Sequence, residues 1–221
     1  RANHFWTQLI AASWWTSLGG MSDDEPSKSF ACTISDCEGA GSETWRAIQL
    51  AAESAYDRTP ACSFTSFVGY EYTESPQSYN LHRNVIFRNA VVPALATSYM
   101  EQPTPQGLWA TLESQCLESL AGCDVLAIPH NPNVSGGLMF APPATAEDAA
   151  FRASMEPLVE IYQHKGDSEC MNGLSGVIGA SDEQCGFELM QIDRFQGTRD
   201  PTLTFPRLSF VRNALKEGLL E

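Results

Sequence analysis

Apolar residues recur along the chain with two periods, one typical of helices and one typical of strands. Helical spacing marks residues 3–18, 42–56, 105–120, 146–155 and 206–219. Shorter apolar runs predict strands over residues 63–72, 83–88, 125–128 and 157–164. Because strands and helices alternate, the pattern favours an α/β fold made of βα units around a largely parallel sheet.

The predicted helices carry ordinary capping signals. Ser42 can cap the second helix, and Thr104 followed by Pro105 is typical of an N-cap and a first helical position. Residues 22–41 are acidic and rich in Ser and Gly, which predicts a loop. We interpret residues 1–221 as one partial domain, clearest over 41–221, with both ends reading as breaks inside a longer protein.

The composition argues against binding to nucleic acid and against a membrane-spanning segment. The 221 residues are 43% hydrophobic and carry a formal net charge of −14, and Lys and Arg form no cluster. A nucleic-acid backbone is therefore not an expected partner. The longest apolar runs have the length of strands, so we predict no membrane span. The pattern does not indicate an oligomeric state.

Seven cysteines without any C-x-x-C pair argue against structural zinc and thioredoxin-type redox chemistry. Their spacing predicts three short disulfide loops, Cys32–Cys37, Cys116–Cys123 and Cys170–Cys185, and leaves Cys62 over. Such disulfides indicate a periplasmic or secreted protein, because the cytosol keeps thiols reduced. The alternative is a cytosolic protein with buried, reduced thiols.

Three ionisable side chains stand where predicted strands begin or end. Glu71 lies near the end of the run FVGYEY, His82 opens HRNVIF, and His130 ends CDVLAIPH. Polar groups at neighbouring strand ends build the sites of α/β proteins, and carboxylate with imidazole suits Zn, Mn or Fe. The alternative is a set of hydrogen-bonded structural residues, with Glu71 capping a helix or pairing with Arg83.

More polar residues follow from the strand predicted over residues 157–164. Period-two alternation puts Glu160 and His164 on one face, which does not suit a helix-covered surface. That face would point into a barrel interior or cleft, unless the two side chains form a mutually satisfied buried pair. Arg83 and Lys165 lie near the same strand ends, where they would suit an anionic substrate or balance nearby carboxylates.

Several motifs, in order, resemble one particular protein family. The runs GYEYT, NLHRNVIFR, LAIPHNPN and EPLVEIYQHKGDSE are similar to those of a large branch of uncharacterised proteins allied to the polymerase-and-histidinol-phosphatase (PHP) metallohydrolases. The resemblance extends from about residue 44 to the closing FVRNALKEGL. It implies part of a distorted TIM-like (β/α) barrel with a di- or trinuclear metal site. It also implies phosphoesterase-type hydrolysis of a small anionic substrate by a metal-activated water.

The resemblance implies roles for individual residues. Glu71 corresponds to a metal-bridging carboxylate, and His82 and His130 correspond to imidazole ligands of Zn, Mn or Fe. Arg83 or Lys165 would steady the anionic transition state. The residues that would contact the substrate or support the ligands are Glu160, His164, Lys165 and Glu169, and Asn131 would support the ligands.

The chain departs from that family pattern at three motifs. An H-x-H on the first strand, an Asp-His pair and a D-x-H near the end are all absent, and His4 is the only early histidine. The chain would therefore supply only part of a ligand shell. We predict that it is inactive alone, although its parent is a metal-dependent hydrolase.

Two other functions remain open. The main alternative is a secreted, non-catalytic α/β module that binds sugar or peptide, and the weaker one is a glycosidase using Glu71 and Glu160. A binding module has no need for Glu71, His82 and His130 to converge within about 2.0–2.2 Å of one ion. A glycosidase requires its two carboxyl groups to lie roughly 5–9.5 Å apart.

Overall fold

The computed structural model describes Pro26 and residues 31–76, 79–174, 185, 188–189 and 206–219. Two compact units make up the chain, the first formed by Arg1–Gln77 with Asn84–Leu126 and the second by Ser78–Arg83 with Ala127–Glu221. The helix predicted over residues 3–18 lies outside the described residues. None of the helices in the described ranges is long and apolar enough to cross a membrane.

Helices form where the apolar spacing predicts them, with some changes at their ends. The helices are α1 Ala31–Ile34, α2 Cys37–Ala55, α3 Pro105–Leu112, α4 Ala146–Met155 and α5 Val211–Gly218. Single turns of other helical types cover Glu113–Glu118, Pro132–Val134 and Arg207–Ser209. Thr104 caps α3 as predicted, because its side chain accepts from the Gly107 N–H at 3.1 Å.

The start of α2 differs from the prediction. Asp36, and not Ser42, is the N-cap, and its carboxylate accepts from the Gly39 N–H at 2.8 Å. The loop predicted over residues 22–41 is therefore helical in its second half, where α1 and the first turn of α2 lie. Both Asp and Ser are good N-caps, so the sequence offers two starts and the structure uses the earlier one.

A three-stranded sheet in the order β1-β2-β3 consists of β1 Val68–Tyr72, β2 Arg83–Phe87 and β3 Val125–Pro129. The His130 N–H donates to the His82 carbonyl at 3.2 Å, and the Arg88 N–H donates to the Asp124 carbonyl at 3.0 Å. The start of β2 is thus opposite the end of β3, so these strands are antiparallel. The expectation of a largely parallel sheet was wrong for this pair, because the long connection over residues 88–124 reverses the chain.

In the first unit an aromatic cluster lies beside β1 and β2. The Trp45 ring of α2 meets the Tyr70 ring edge-on at 5.7 Å and the Phe87 ring at 5.9 Å. Its indole N–H donates to the Pro93 carbonyl at 2.9 Å, which satisfies the polar atom of a buried side chain. Gly69 lies so close to β2 that an added Cβ would sit 2.8 Å from the Val85 carbonyl oxygen. The absence of a side chain at Gly69 therefore allows the close approach of the β2 backbone.

In the second unit a short antiparallel hairpin replaces most of the strand predicted over residues 157–164. Its strands are β4 Tyr162–Gln163 and β5 Gly166–Asp167. Leu158, Tyr162 and His164, which share the face predicted to be enclosed, are exposed. That face is therefore not a barrel interior in the described residues, and these residues show no barrel closure.

The three predicted disulfides are present. Cys32–Cys37, Cys116–Cys123 and Cys170–Cys185 are bonded, with Cα–Cα distances of 5.2, 5.2 and 4.9 Å. Cys62 is free, as the spacing indicated, and its side chain is exposed. Three disulfides in one chain are typical of extracellular or periplasmic proteins.

Candidate metal centre

The pairing of β2 with β3 brings two histidines together. His82 immediately precedes β2 and His130 immediately follows β3, and their main chains share the 3.2 Å hydrogen bond that closes this end of the ladder. The two imidazole rings meet edge to face with centroids 5.7 Å apart. Both side chains are buried. Two imidazoles held this close by backbone pairing form half of a metal-ligand set.

Glu71 adds a carboxylate to the two imidazoles. It is the fourth residue of β1, and it is exposed between the buried Val68 and Tyr72. One ligand atom from each of Glu71, His82 and His130 lies within 4.8 Å of the other two. These are the three residues that the sequence singled out, and they form a carboxylate–imidazole–imidazole group.

The spacing and chemistry of this group fit a divalent transition metal. Three ligands spaced evenly at 2.0–2.2 Å from one ion are about 3.8 Å apart at most, so atoms that lie within 4.8 Å of one another need to approach by about 1 Å at most. Imidazole with carboxylate suits Zn, Mn and Fe. Three protein ligands with one of them exposed are typical of a site that keeps a coordination position open to water or substrate.

A buried ion pair fixes the strand that begins beside His82. The Arg83 guanidinium donates to Glu156 at 2.7 Å, with the two side chains 2% and 3% exposed, and to the Leu81 carbonyl at 2.5 Å. Arg152 of α4 reaches the same carboxylate at 3.1 Å. Arg83 thus binds the backbone just before His82 and the end of α4, which favours the charge-balance interpretation of this arginine over substrate contact.

Two side chains from segments next to His130 contain buried polar atoms that have no hydrogen-bond partner among the described residues. They are Asn131, through both amide atoms, and Glu160, through Oε1. Asn131 follows His130 directly, and the Glu160 main-chain N–H donates to the carbonyl of Pro129 at 3.0 Å. Asn131 and Glu160 therefore both come from segments that touch the end of β3.

The remaining predicted residues lie in or after the β4–β5 hairpin. His164 is exposed and Lys165 half-buried in its turn, and the Lys165 carbonyl accepts from the Asn133 amide at 2.9 Å. Glu169 pairs with Arg212 at 2.7 Å on a part-exposed surface. The hydrogen bond from the Asn133 amide connects the Lys165 backbone with the loop that follows His130. The Glu169 carboxylate is instead paired with Arg212 of α5.

Sequence reasoning did not single out Glu156 or Arg152, and it did not predict the burial of Asp167. Glu156 lies 73 positions from Arg83, so no local spacing signals their ion pair. Burial is the main reason that the pKa of Asp167 is raised, and the charge of Glu169 adds to this. The run GDSE in the hairpin carries Asp167, but nothing in its pattern indicates a buried carboxyl.

Comparisons with known proteins identify one family. The sequence model of a family described as "Protein of unknown function (DUF3604)" matches residues 7–221. No curated protein and no solved structure matches the chain. The predicted likeness to a family of uncharacterised function is therefore confirmed, while the relationship to PHP metallohydrolases stays a prediction.

Proposed function

We propose, for a chain that belongs to the DUF3604 family, that Glu71, His82 and His130 bind a divalent metal ion and that the protein they serve is a metal-dependent hydrolase. The observation that supports this most strongly is the convergence of these three side chains within 4.8 Å. The two imidazoles are buried and the carboxylate is exposed. One side of the centre is thereby accessible to a substrate.

The ligand types support this function over a purely structural role for the group. Structural zinc sites are usually closed by four protein ligands, often cysteines, whereas catalytic sites use three ligands and leave one position open. Six of the seven cysteines in this chain are in disulfides and are not available as ligands. A bound divalent ion would lower the pKa of a coordinated water and polarise the bond to be hydrolysed.

The chain itself would orient the ligands and stabilise negative charge. The main-chain bond between His130 and His82 and the Arg83–Glu156 pair hold the two imidazoles in place. We assign the anion-stabilising role to Lys165, because Arg83 is bound to Glu156 inside the protein. An ammonium group suits this task because it is a compact charge on a flexible stem.

A phosphoester or a related anionic ester is the substrate class we propose. This follows from the resemblance to PHP metallohydrolases, and the backbone bond between Lys165 and the Asn133 amide, in the loop after His130, supports a role for Lys165. A partial TIM-like barrel and a secreted or periplasmic location belong to the same proposal. The three disulfides support the location.

Metal content, chelation and ester hydrolysis test the proposal together. The protein is loaded with Zn²⁺ or Mn²⁺, dialysed and analysed for metal, alongside Glu71→Ala, His130→Ala and the control His164→Ala. His164 is an exposed histidine outside the group, so its variant keeps the metal of the wild type. Hydrolysis of aryl phosphate monoesters, diesters and sulfate esters is then measured with and without a chelator. Hydrolysis that survives removal of all metal would overturn the proposal.

A further inference from the structure

We propose that Asn131 is a substrate-positioning residue of this centre, whose amide N–H donates to an oxygen of an anion held beside His130. The inference rests on the proposed function, since it needs a ligand at the Glu71, His82 and His130 group. It assigns to Asn131 a task that the ligand residues do not perform. The three ligands hold a cation, whereas an amide recognises an oxygen of the bound substrate.

The first observation behind this proposal is that the buried Asn131 amide has no hydrogen-bond partner in the described part of the chain. The residue is 1% exposed, and neither its Nδ2 nor its Oδ1 has a hydrogen-bond partner among the described residues. Burying an amide without partners is unfavourable, and most buried side-chain polar atoms are satisfied. An unsatisfied amide beside a candidate metal ligand therefore indicates a missing partner, which a bound ligand would supply.

A neighbouring asparagine shows what a structural amide looks like in the same loop. The Asn133 Oδ1 accepts from the Ser168 hydroxyl at 2.7 Å, and its Nδ2 donates to the Lys165 carbonyl at 2.9 Å. Both polar ends are thus used to join the loop to the β4–β5 hairpin. Asn131 and Asn133 are equally enclosed, so burial alone does not explain why only one amide is satisfied.

The backbone at Asn131 is held in an uncommon conformation. Its φ and ψ are 61° and 39°, in the left-handed region that side-chain-bearing residues rarely adopt. The Asn131 carbonyl accepts from the Val134 N–H at 3.1 Å, and the preceding residue is tied to β2 by the His130–His82 bond. The turn is therefore well fixed on both sides. A fixed turn gives the amide a defined position relative to the imidazole next to it.

Glu160 supplies a second, independent observation at the same place. Its main-chain N–H is bonded to Pro129, the residue before His130, and its buried Oε1 has no partner among the described residues. A donor-bearing amide and an accepting carboxylate thus belong to two different segments that adjoin His130 through the backbone. An oxyanion together with a hydroxyl or water would satisfy both, and the charge of the oxyanion would be balanced by the metal ion.

Inorganic phosphate is the probe for a test that separates this inference from the metal proposal. The variant is Asn131→Gly, because glycine adopts a φ of 61° freely and removes only the amide. Bound Mn²⁺ is measured first, and phosphate affinity of the Mn²⁺-loaded protein is then measured by calorimetry. Thermal unfolding is recorded for this variant and for the matched control Asn133→Ala.

The expected result is metal binding like that of the wild type, phosphate affinity lowered about ten- to hundredfold, and an unfolding midpoint that is not lowered. Asn133→Ala is expected to unfold at a lower temperature because it leaves the Ser168 and Lys165 groups without partners. Unchanged phosphate affinity in Asn131→Gly would overturn this inference alone. The same holds if Asn131→Gly loses as much stability as Asn133→Ala. A wild-type protein that binds no metal would overturn the proposed function and this inference with it.

Discussion

Arg83 and Glu156 form an ion pair at 2.7 Å in which both side chains are almost fully removed from solvent. Removing Arg83 leaves the buried Glu156 carboxylate with Arg152, and breaking a buried pair typically costs about 3–5 kcal/mol. We therefore expect Arg83→Met to lower the free energy of unfolding by about 3 kcal/mol or more. Urea unfolding followed by circular dichroism measures this change.

The exposed pair Arg88–Asp124 is the matched control for that experiment. Its side chains are 78% and 52% exposed and lie 3.2 Å apart. Surface pairs contribute about 0–1 kcal/mol, so Arg88→Met should change stability little. Equal effects of the two substitutions would contradict the structural role that we give to Arg83.

Gly69 provides a test of the sheet that carries Glu71. An alanine Cβ at this position would lie 2.8 Å from the Val85 carbonyl oxygen, a backbone atom that cannot move without shifting β2. We expect Gly69→Ala to destabilise the protein by about 1–3 kcal/mol, as overpacking usually does. Chemical unfolding of the variant measures the loss.

Gly41 is the control glycine for the same experiment. It lies inside α2, and an added Cβ would meet nothing within 4 Å. Gly41→Ala should therefore stabilise the protein, by about 0.5–1 kcal/mol. Destabilisation by Gly41→Ala, or none by Gly69→Ala, would contradict the described packing.

Asp167 gives a prediction about pH. Burial raises its pKa above the ordinary value of 3.8, so the folded protein holds this proton more tightly than the unfolded chain does. The contribution of Asp167 to stability is therefore lost as the pH rises from about 3.8 through the raised pKa. Asp167→Asn cannot ionise and keeps an oxygen that accepts from the Glu169 N–H.

The free energy of unfolding of the wild type should accordingly fall relative to that of Asp167→Asn as the pH rises from 3.8 through the raised pKa of Asp167. Urea unfolding of both proteins across this range measures the difference. Asp124→Asn, at an exposed position, should show no comparable divergence from the wild type. A wild type that gains stability over Asp167→Asn as the pH rises would contradict the raised pKa.

Thiol titration tests the disulfide assignment. The native protein should react with one equivalent of a thiol reagent at Cys62, the free and exposed cysteine, and Cys62→Ser should react with none. After reduction and unfolding the wild type should show all seven thiols. Three or more reactive thiols in the native protein would mean that at least one of the disulfides is absent.

Local signals explain which elements could be predicted. The helix α4 over Ala146–Met155 and the start of α3 at Pro105 were predicted because their caps and apolar spacing lie within a few residues. The disulfides were predicted because each closes a short loop. The Arg83–Glu156 pair joins distant segments, and no local pattern encodes it.

The main errors of the sequence-based prediction concerned which segments pair with each other as strands. The alternating run over residues 157–164 was expected to form one strand, yet only Tyr162–Gln163 pairs with β5. An extended segment becomes a strand only where a neighbouring strand accepts its hydrogen bonds, and the sequence of the segment does not reveal that neighbour. Here the Glu160 N–H and the Ile161 carbonyl bond to single residues, Pro129 and Ser168, instead of a ladder.

The structure brings Glu71, His82 and His130 together, although the sequence argument for their proximity was incomplete. Glu71 and His130 lie near the carboxyl ends of their strands, whereas His82 precedes the start of β2. A parallel β2 would place His82 at the opposite edge of the sheet from His130. The antiparallel pairing of β2 with β3 places the two imidazoles at one edge.

Metal binding by wild-type protein and by Glu71→Ala, His82→Ala and His130→Ala tests the central claim most directly. After loading with Zn²⁺ or Mn²⁺ and dialysis, elemental analysis should find at least one bound ion per wild-type chain. Each substitution should reduce that amount, while the control His164→Ala should leave it unchanged. No bound metal in the wild type, or equal amounts in all four variants, would contradict a metal centre at Glu71, His82 and His130.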